Sequence, residues 1–307
     1  MTQAGFGDRL ASLVAERSSQ IVLGLDPDPA RLWPSALEHA GGGDGGPAER
    51  AARAVQEHCR LAIEAAGEHC VAIKPQVACF ERLGAPGWAA LAATVRSAQD
   101  HGLLVIADAK RGDIDVSAQA YAEAFFAGTE SPFGRVPGLG VDALTVNPLL
   151  GVDSLLPLVA AARERGGGLF VLVRTSNRGA GDVQELELGD GSTVSDRIAR
   201  IVSELGAAGV GPAGLADIGA VTGATAPERL VALRQSMPRT ILLLPGVGAQ
   251  GGRVEDLAAA FAPGPAGGLI SVSRGIVYAF EHRGGFPEAA AAREASRLRE
   301  LAWSIAT

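Results

Sequence analysis

Asp108, Lys110 and Asp113 fall within one six-residue run, Asp108-Ala-Lys-Arg-Gly-Asp113. A carboxylate and an ammonium held side by side each favour the other's charged form, so a lysine in such a set stays cationic. Asp108 and Lys110 are two residues apart and are expected to point the same way from an extended strand end. Asp113 lies five residues from Asp108, a reach of up to about 17 Å if extended. It could serve a different part of the site, or another subunit. The same run also suits a strand-end ion pair followed by a helix cap at Asp113. Lys74 weighs against that reading, because it ends the preceding apolar run and brings a second lysine to the same small space. Buried charges this dense cost several kcal/mol unless function requires them.

A second constellation lies near the C-terminus. Pro245-Gly-Val-Gly-Ala-Gln-Gly-Gly252 is expected to lead into a helix at about Arg253, and Ser273-Arg274-Gly275 follows the last apolar run. Glycines let backbone N–H groups close around an anion, a helix N-terminus adds favourable partial charge, and a guanidinium can grip phosphate with two hydrogen bonds. Two tight turns and a surface arginine are the plainer alternative. The histidines, among them His39, His58, His69 and His101, sit in helical segments and read as surface or structural. No His/Cys/Asp/Glu cluster has metal-ligand spacing, and Gly-x-Ser-x-Gly and P-loop patterns are absent. No metal and no cofactor is expected.

The elements that must position these residues form a regular series. Apolar runs at Ile21–Leu25, Val71–Ile73, Leu103–Ala107, Ala143–Val146, Leu169–Val173, Gly214–Ala216, Ile241–Leu244 and Leu269–Val272 alternate with longer helical stretches. Several are unbroken rather than alternating, as parallel strands covered on both faces should be. Helices are expected from Pro47 to Gly67, with Val55, Cys59 and Ile63 inward, and from near Pro86 to His101. A third carries Val194, Ile198, Ile201 and Leu205 on one stripe. Eight strand–helix units predict an α/β fold, a single-domain (β/α)8 TIM barrel over residues 1–307, favoured over an open doubly wound sheet. Surface insertions are expected near 41–46, 128–140 and 178–192, which either cover the site or only lengthen the surface. Almost every run ends in a polar or glycine-rich signature: Asp26, Lys74, Asp108, Asn147, Thr175 and Ser176, Asp217, Gly246 to Gln250, and Arg274. In a barrel such positions gather on the C-terminal rim, where active sites are built.

Composition bounds the partners. The 307 residues are 47% hydrophobic and carry a net charge of −7, so no general basic field draws the chain to nucleic acid. An anionic substrate must be held by a few local groups. Cys59, Cys70 and Cys79 read as reduced thiols of a cytoplasmic protein. Residues 1–20 carry Asp8, Arg9, Glu16 and Arg17 and do not read as a signal peptide. No apolar run approaches the roughly 18 residues that cross a bilayer, so no membrane partner is expected.

Six motifs occur in order: Leu23-Gly-Leu-Asp26, Ala72-Ile-Lys-Pro-Gln76, Ala107-Asp-Ala-Lys-Arg-Gly-Asp-Ile114, Thr145-Val-Asn-Pro148, Pro245 to Gly252 and Ser273-Arg-Gly275. Together they resemble the orotidine 5′-phosphate decarboxylase family, in its longer branch, from Leu23 to Tyr278. The resemblance implies cofactor-free decarboxylation of orotidine 5′-monophosphate (orotidylate) to uridine 5′-monophosphate in pyrimidine synthesis. It implies a charge network of Lys74, Asp108, Lys110 and Asp113, with Lys110 as proton donor to C6. It also implies a homodimer in which Asp113 and Ser117 reach the neighbouring subunit's site. Asp26 and Lys74, helped by Ser117, would hold the ribose, and Ser176 the pyrimidine amide edge. Asn147 joins the substrate-binding set, and Gly246, Gly248, Gln250, Ser273 and Arg274 would take the phosphate. Family members usually have threonine at the position of Ser117. A metal-dependent sugar-phosphate decarboxylase or aldolase on the same barrel is the runner-up, but it needs an acidic ligand where this chain has Lys74. A silent nucleotide-binding barrel is a third reading, and phosphate capture alone would need none of the four charged residues.

Overall fold

The computed structural model describes residues 4–41 and 44–307; Gly42 and Gly43 of the first expected insertion lie outside the described residues. Eight parallel strands close into a barrel in sequence order: β1 (Ile21–Leu25), β2 (Ala72–Pro75), β3 (Leu104–Arg111), β4 (Ala143–Val146), β5 (Gly168–Arg174), β6 (Ile218–Thr222), β7 (Leu242–Pro245) and β8 (Gly268–Val272). β8 pairs back onto β1. This is the expected single (β/α)8 domain.

Each strand splits its side chains between two cores, because successive residues point to opposite faces. Ile21, Leu23 and Leu25, or Val105 and Ala107, pack outward against the helices. Val22, Ala72, Leu104, Ile106, Ala143 and Phe170 pack inward, and the same core includes Leu243 and Leu269. Continuing the inward parity toward the strand ends brings the chain to Asp26, Lys74, Asp108 and Thr145. One alternation therefore builds an apolar plug low in the barrel and a polar layer above it.

The plug is completed by a helix that composition does not announce, Phe6–Arg17. Its Phe6, Leu10 and Val14 are buried, and Phe6 meets Phe170 edge-on at 5.8 Å. No helix among the described residues is long and apolar enough to cross a membrane.

Two expectations need correction. The sixth strand is not Gly214–Ala216. Gly214 takes a positive φ in a turn, donating to the Gly211 carbonyl, and the strand begins after Asp217. Asp217 consequently lies at the opposite end of the barrel from the rim, where Arg163 grips it at 2.6 and 3.1 Å. The apolar segment after the aspartate, not the one before it, has the length a strand needs. In the helix Val194–Gly206 the most buried residues are Ser195, Ala199, Val202 and Gly206, one position on from the expected stripe. Small residues there let the helix lie close to the sheet: a Cβ on Gly206 would stand 3.0 Å from that of Ala216, just ahead of β6, and 3.6 Å from that of Ile218 within it. The large Ile198 and Leu205 flank the contact.

The helices Pro47–Ala66 and Ala85–Asp100 fall where the sequence places them. The insertion near 128–140 forms a small loop closed by paired backbone bonds between Thr129 and Val136, with Phe133 exposed. The insertion near 178–192 begins with a short 3-10 turn, Arg178–Asp182, and leans on the end of β5.

Candidate active site

The end of β3 is not extended. Ala107 pairs with Leu144, and the next partners are Arg111 and Val146, so four steps along β3 match two along β4. The excess is absorbed at Lys110, whose φ of 49° is left-handed and strained for a residue with a side chain. Thr145 secures the kink, since its hydroxyl accepts from the Lys110 N–H at 2.9 Å and donates to Asp108 Oδ1 at 3.0 Å. Asp108 and Lys110 do meet, as their spacing predicts, but through a bulge rather than through simple alternation.

Asp108 is the hub. Its Oδ2 receives Lys74 Nζ at 2.6 Å and Gln76 Nε2 at 3.3 Å, and its Oδ1 receives Lys110 Nζ at 2.6 Å in addition to Thr145. Asp108 is 6% exposed and Lys74 7%. Burial alone would raise the Asp108 pKa, but the charges of Lys74 and Lys110 outweigh it and hold the carboxyl well below its usual range. Burial likewise works against the Lys74 ammonium, and Asp108 and Asp26 overcome it, leaving its pKa raised. The centre is thus a fixed carboxylate between two lysines, with the Lys110 side chain far more accessible than that of Lys74.

These side chains form one wall of an open cavity of about 390 Å³ at the C-terminal end of the barrel. Asp26, Ser176, Gly246, Gln250, Ser273 and Arg274 line the rest. Arg274 begins the single helical turn Arg274–Val277 after β8. Its guanidinium has no hydrogen-bonding or ionic partner among the described residues. Positive charge is therefore available three strands round the barrel from Asp108. The glycine loop after β7 is held by its own backbone: Gly248 donates to the Gly252 carbonyl at 2.9 Å and Gly252 to that of Gly246 at 3.0 Å. The helix that follows is a 3-10 helix, Val254–Phe261, with Arg253 preceding it.

Residues 19–285 match the model of the orotidine 5′-phosphate decarboxylase / HUMPS family. The chain belongs to this family. Among curated relatives it is similar to an orotidine 5′-phosphate decarboxylase of Rhodopirellula baltica, 40% identical over 89% of this chain and 88% of that one. One of Deinococcus radiodurans is 46% identical over 71% of this chain and 75% of the relative. Among solved structures, Leishmania donovani OMP decarboxylase superposes with a TM-score of 0.74 at 31% identity, covering 97% of this chain and 99% of that one.

Not every residue expected in the site lines this cavity. Asp113, Ser117, Asn147 and Gly248 do not. Asp113 turns its Oδ1 back to the Ile114 N–H at 2.8 Å, and Ser117 is exposed on the helix Asp115–Ala122. Asn147, inward by parity, instead accepts from the Leu149 N–H at 3.1 Å, closing a turn. The Gly248 N–H is committed inside its loop. Conversely, Thr145 and Gln76 both hold Asp108 although residue type alone assigns them no role, and both stand in the motifs. Inward parity at strand ends was the signal available for them. Gln184, in the third insertion, pins the Thr175 backbone N–H at 2.8 Å and exchanges a hydrogen bond with its hydroxyl at 2.9 Å. Arg174 adds an ion pair to Glu185. The insertion therefore braces the segment that presents Thr175, Ser176 and Asn177 to the cavity.

Proposed function

We propose that this chain decarboxylates orotidine 5′-monophosphate to uridine 5′-monophosphate, without a cofactor, in pyrimidine biosynthesis. The observation that carries the reading is the Lys74–Asp108–Lys110 array, with both ion pairs at 2.6 Å, on the wall of a cavity that also holds the unpaired Arg274. Loss of CO2 from C6 leaves the bonding electron pair on a ring carbon with no adjacent sink. Fixed protein charge is the means available to stabilise it. The C6–carboxylate bond breaks, CO2 departs, and the Lys110 ammonium transfers its proton to C6. Asp108 holds that ammonium in place and lies close to where the substrate carboxylate sits. Lys74, locked by Asp108, is assigned with Asp26 to the ribose hydroxyls.

Ser176 is assigned to the pyrimidine amide edge, and Gly246, Gln250, Ser273 and Arg274 to the phosphate. Contacts to phosphate, far from C6, orient the ring and lower the barrier only through binding energy realised at the reacting carbon.

We further propose a cytoplasmic homodimer in which Asp113 and Ser117 complete the partner's site. Both residues stand outside their own cavity, beside the exposed apolar side chains of Ile114 and Val116, the latter 82% exposed. Leu149, Leu150 and Leu156 are exposed as well. The unpaired thiols of Cys59, Cys70 and Cys79 agree with a reducing compartment.

Lys110→Ala tests the centre. The variant is expected to fold and to bind uridine 5′-monophosphate while losing at least about 10⁴-fold in kcat, followed by the absorbance of orotidylate. Substantial turnover by this variant refutes the assignment.

A further inference from the structure

Trp33 lies outside every motif that carries the family likeness, yet it is fully buried and bonds in two directions. Its backbone N–H donates to His58 Nδ1 at 3.2 Å, and the two rings meet edge-on at 5.2 Å. Its indole N–H donates to the carbonyl of Val277 at 2.9 Å. Val277 closes the single turn that Arg274 opens, with its N–H on the Ser273 carbonyl at 2.9 Å. Trp33 itself ends the segment that leaves β1 through Asp26.

A second contact joins the same two segments. The Tyr278 hydroxyl donates to the Arg31 carbonyl at 3.2 Å, while the Arg31 guanidinium stacks 4.5 Å over the Tyr278 ring and pairs with Glu281 at 2.6 Å. The strand ends beneath are in close contact too, since a Cβ on Gly24 would stand 2.7 Å from that of Ser273.

We propose that Trp33 is a positioning residue that holds the Arg274 turn against the Asp26 segment, so that the phosphate and ribose ends of one nucleotide are gripped at a set separation. The inference rests on the assignment of Arg274 to phosphate and Asp26 to ribose. Trp33 touches no substrate. It acts through the Val277 carbonyl, which can shift only by carrying the Arg274 turn with it, because a four-residue turn has no slack to absorb the movement. A guanidinium fork recognises phosphate oxygens only within a narrow range of position and angle, so a small displacement of the turn is read directly as lost phosphate binding.

A double-mutant cycle tests the proposal. Trp33→Phe keeps an aromatic ring and removes the indole N–H. Assayed with orotidylate, it is expected to lower kcat/KM about tenfold, chiefly by raising KM. In an Arg274→Ala background the same change is expected to cost less than about twofold, because nothing remains for Trp33 to position. Equal fold losses in both backgrounds overturn the proposal, as does a lower melting temperature with kcat/KM unchanged. If Arg274→Ala by itself leaves kcat/KM within twofold, the phosphate assignment falls, and this inference falls with it. If Trp33→Phe does not fold, Tyr278→Phe removes only the hydroxyl joining the same segments and is read in the same cycle. Its loss is expected to be about threefold with Arg274 present and to vanish without it; a loss equal in both backgrounds, or none with Arg274 present, overturns the proposal.

Discussion

Asp108, on β3, and Asp217, just ahead of β6, are both buried carboxylates, 6% and 4% exposed, yet they are held in opposite ways. Asp217 stands where β6 begins, and one arginine, Arg163, takes both its oxygens. That guanidinium also bonds the Leu205 carbonyl, so the group ties two helices to the bottom of the sheet. Asp108 stands near the other end of its strand, between two lysines that approach from different positions, one of them largely reachable from the cavity. A single satisfied pair serves the fold. A carboxylate flanked by two cations, beside a strained residue and an open cavity, is poised to act on something else.

The sharpest way to break this contrast is to neutralise each carboxylate in turn. Asp108→Asn is expected to lower kcat by at least about 10³-fold, equivalent to about 4 kcal/mol of barrier, because Lys110 loses the charge that positions it. Asp217→Asn is expected to leave kcat and KM within about twofold while lowering stability by about 2 kcal/mol, as removal of one partner leaves Arg163 half-satisfied. Steady-state kinetics and urea unfolding of the two variants decide it. Comparable catalytic losses from both would abolish the distinction.

A third buried titratable group extends the contrast to pH. His58 is 2% exposed, and burial lowers its pKa from 6.5 to about 4. The unfolded chain therefore binds the extra proton between those values, so stability present above pH 6.5 is lost as pH falls toward 4. The depressed Asp108 carboxyl adds little slope in that window, since its contribution is lost mainly below pH 4, as pH falls from its ordinary value of 3.8 toward its lowered one. His69, lowered by burial too, adds a slope of the same sign. Against His58→Asn, which keeps an acceptor for the Trp33 N–H, the native chain is expected to lose about 3 kcal/mol more between pH 7 and pH 4. Denaturant melts at the two pH values measure the difference, and parallel stability curves would refute it.

The smallest expected effect concerns the brace beneath Ser176. Gln184→Leu removes the side-chain bonds to Thr175 and is expected to lower kcat/KM about fivefold, or roughly 1 kcal/mol, with little change in melting temperature. A change confined to melting temperature would make the insertion a stabilising feature only.

Much of this molecule was legible in the order of its residues. Unbroken apolar runs ending in Asp26, Lys74, Asp108 and Arg274 announced a parallel barrel with a charged rim, because strand length and two-residue alternation are local properties of a chain. What remained hidden depends on neighbours distant in sequence. The kink at Lys110 exists because β3 is longer than its partner requires, and Thr145 stabilises it from the next strand. Asp217 changed ends of the barrel because the turn at Gly214 displaced its strand by a few residues. The helix Phe6–Arg17 and the buried Trp33 find their faces only against a closed sheet. The sequence determined the kinds of side chain at each strand end and the face they take. The tertiary structure alone decided which of them share a hydrogen bond, since that depends on the register between strands, and register is a property of pairs.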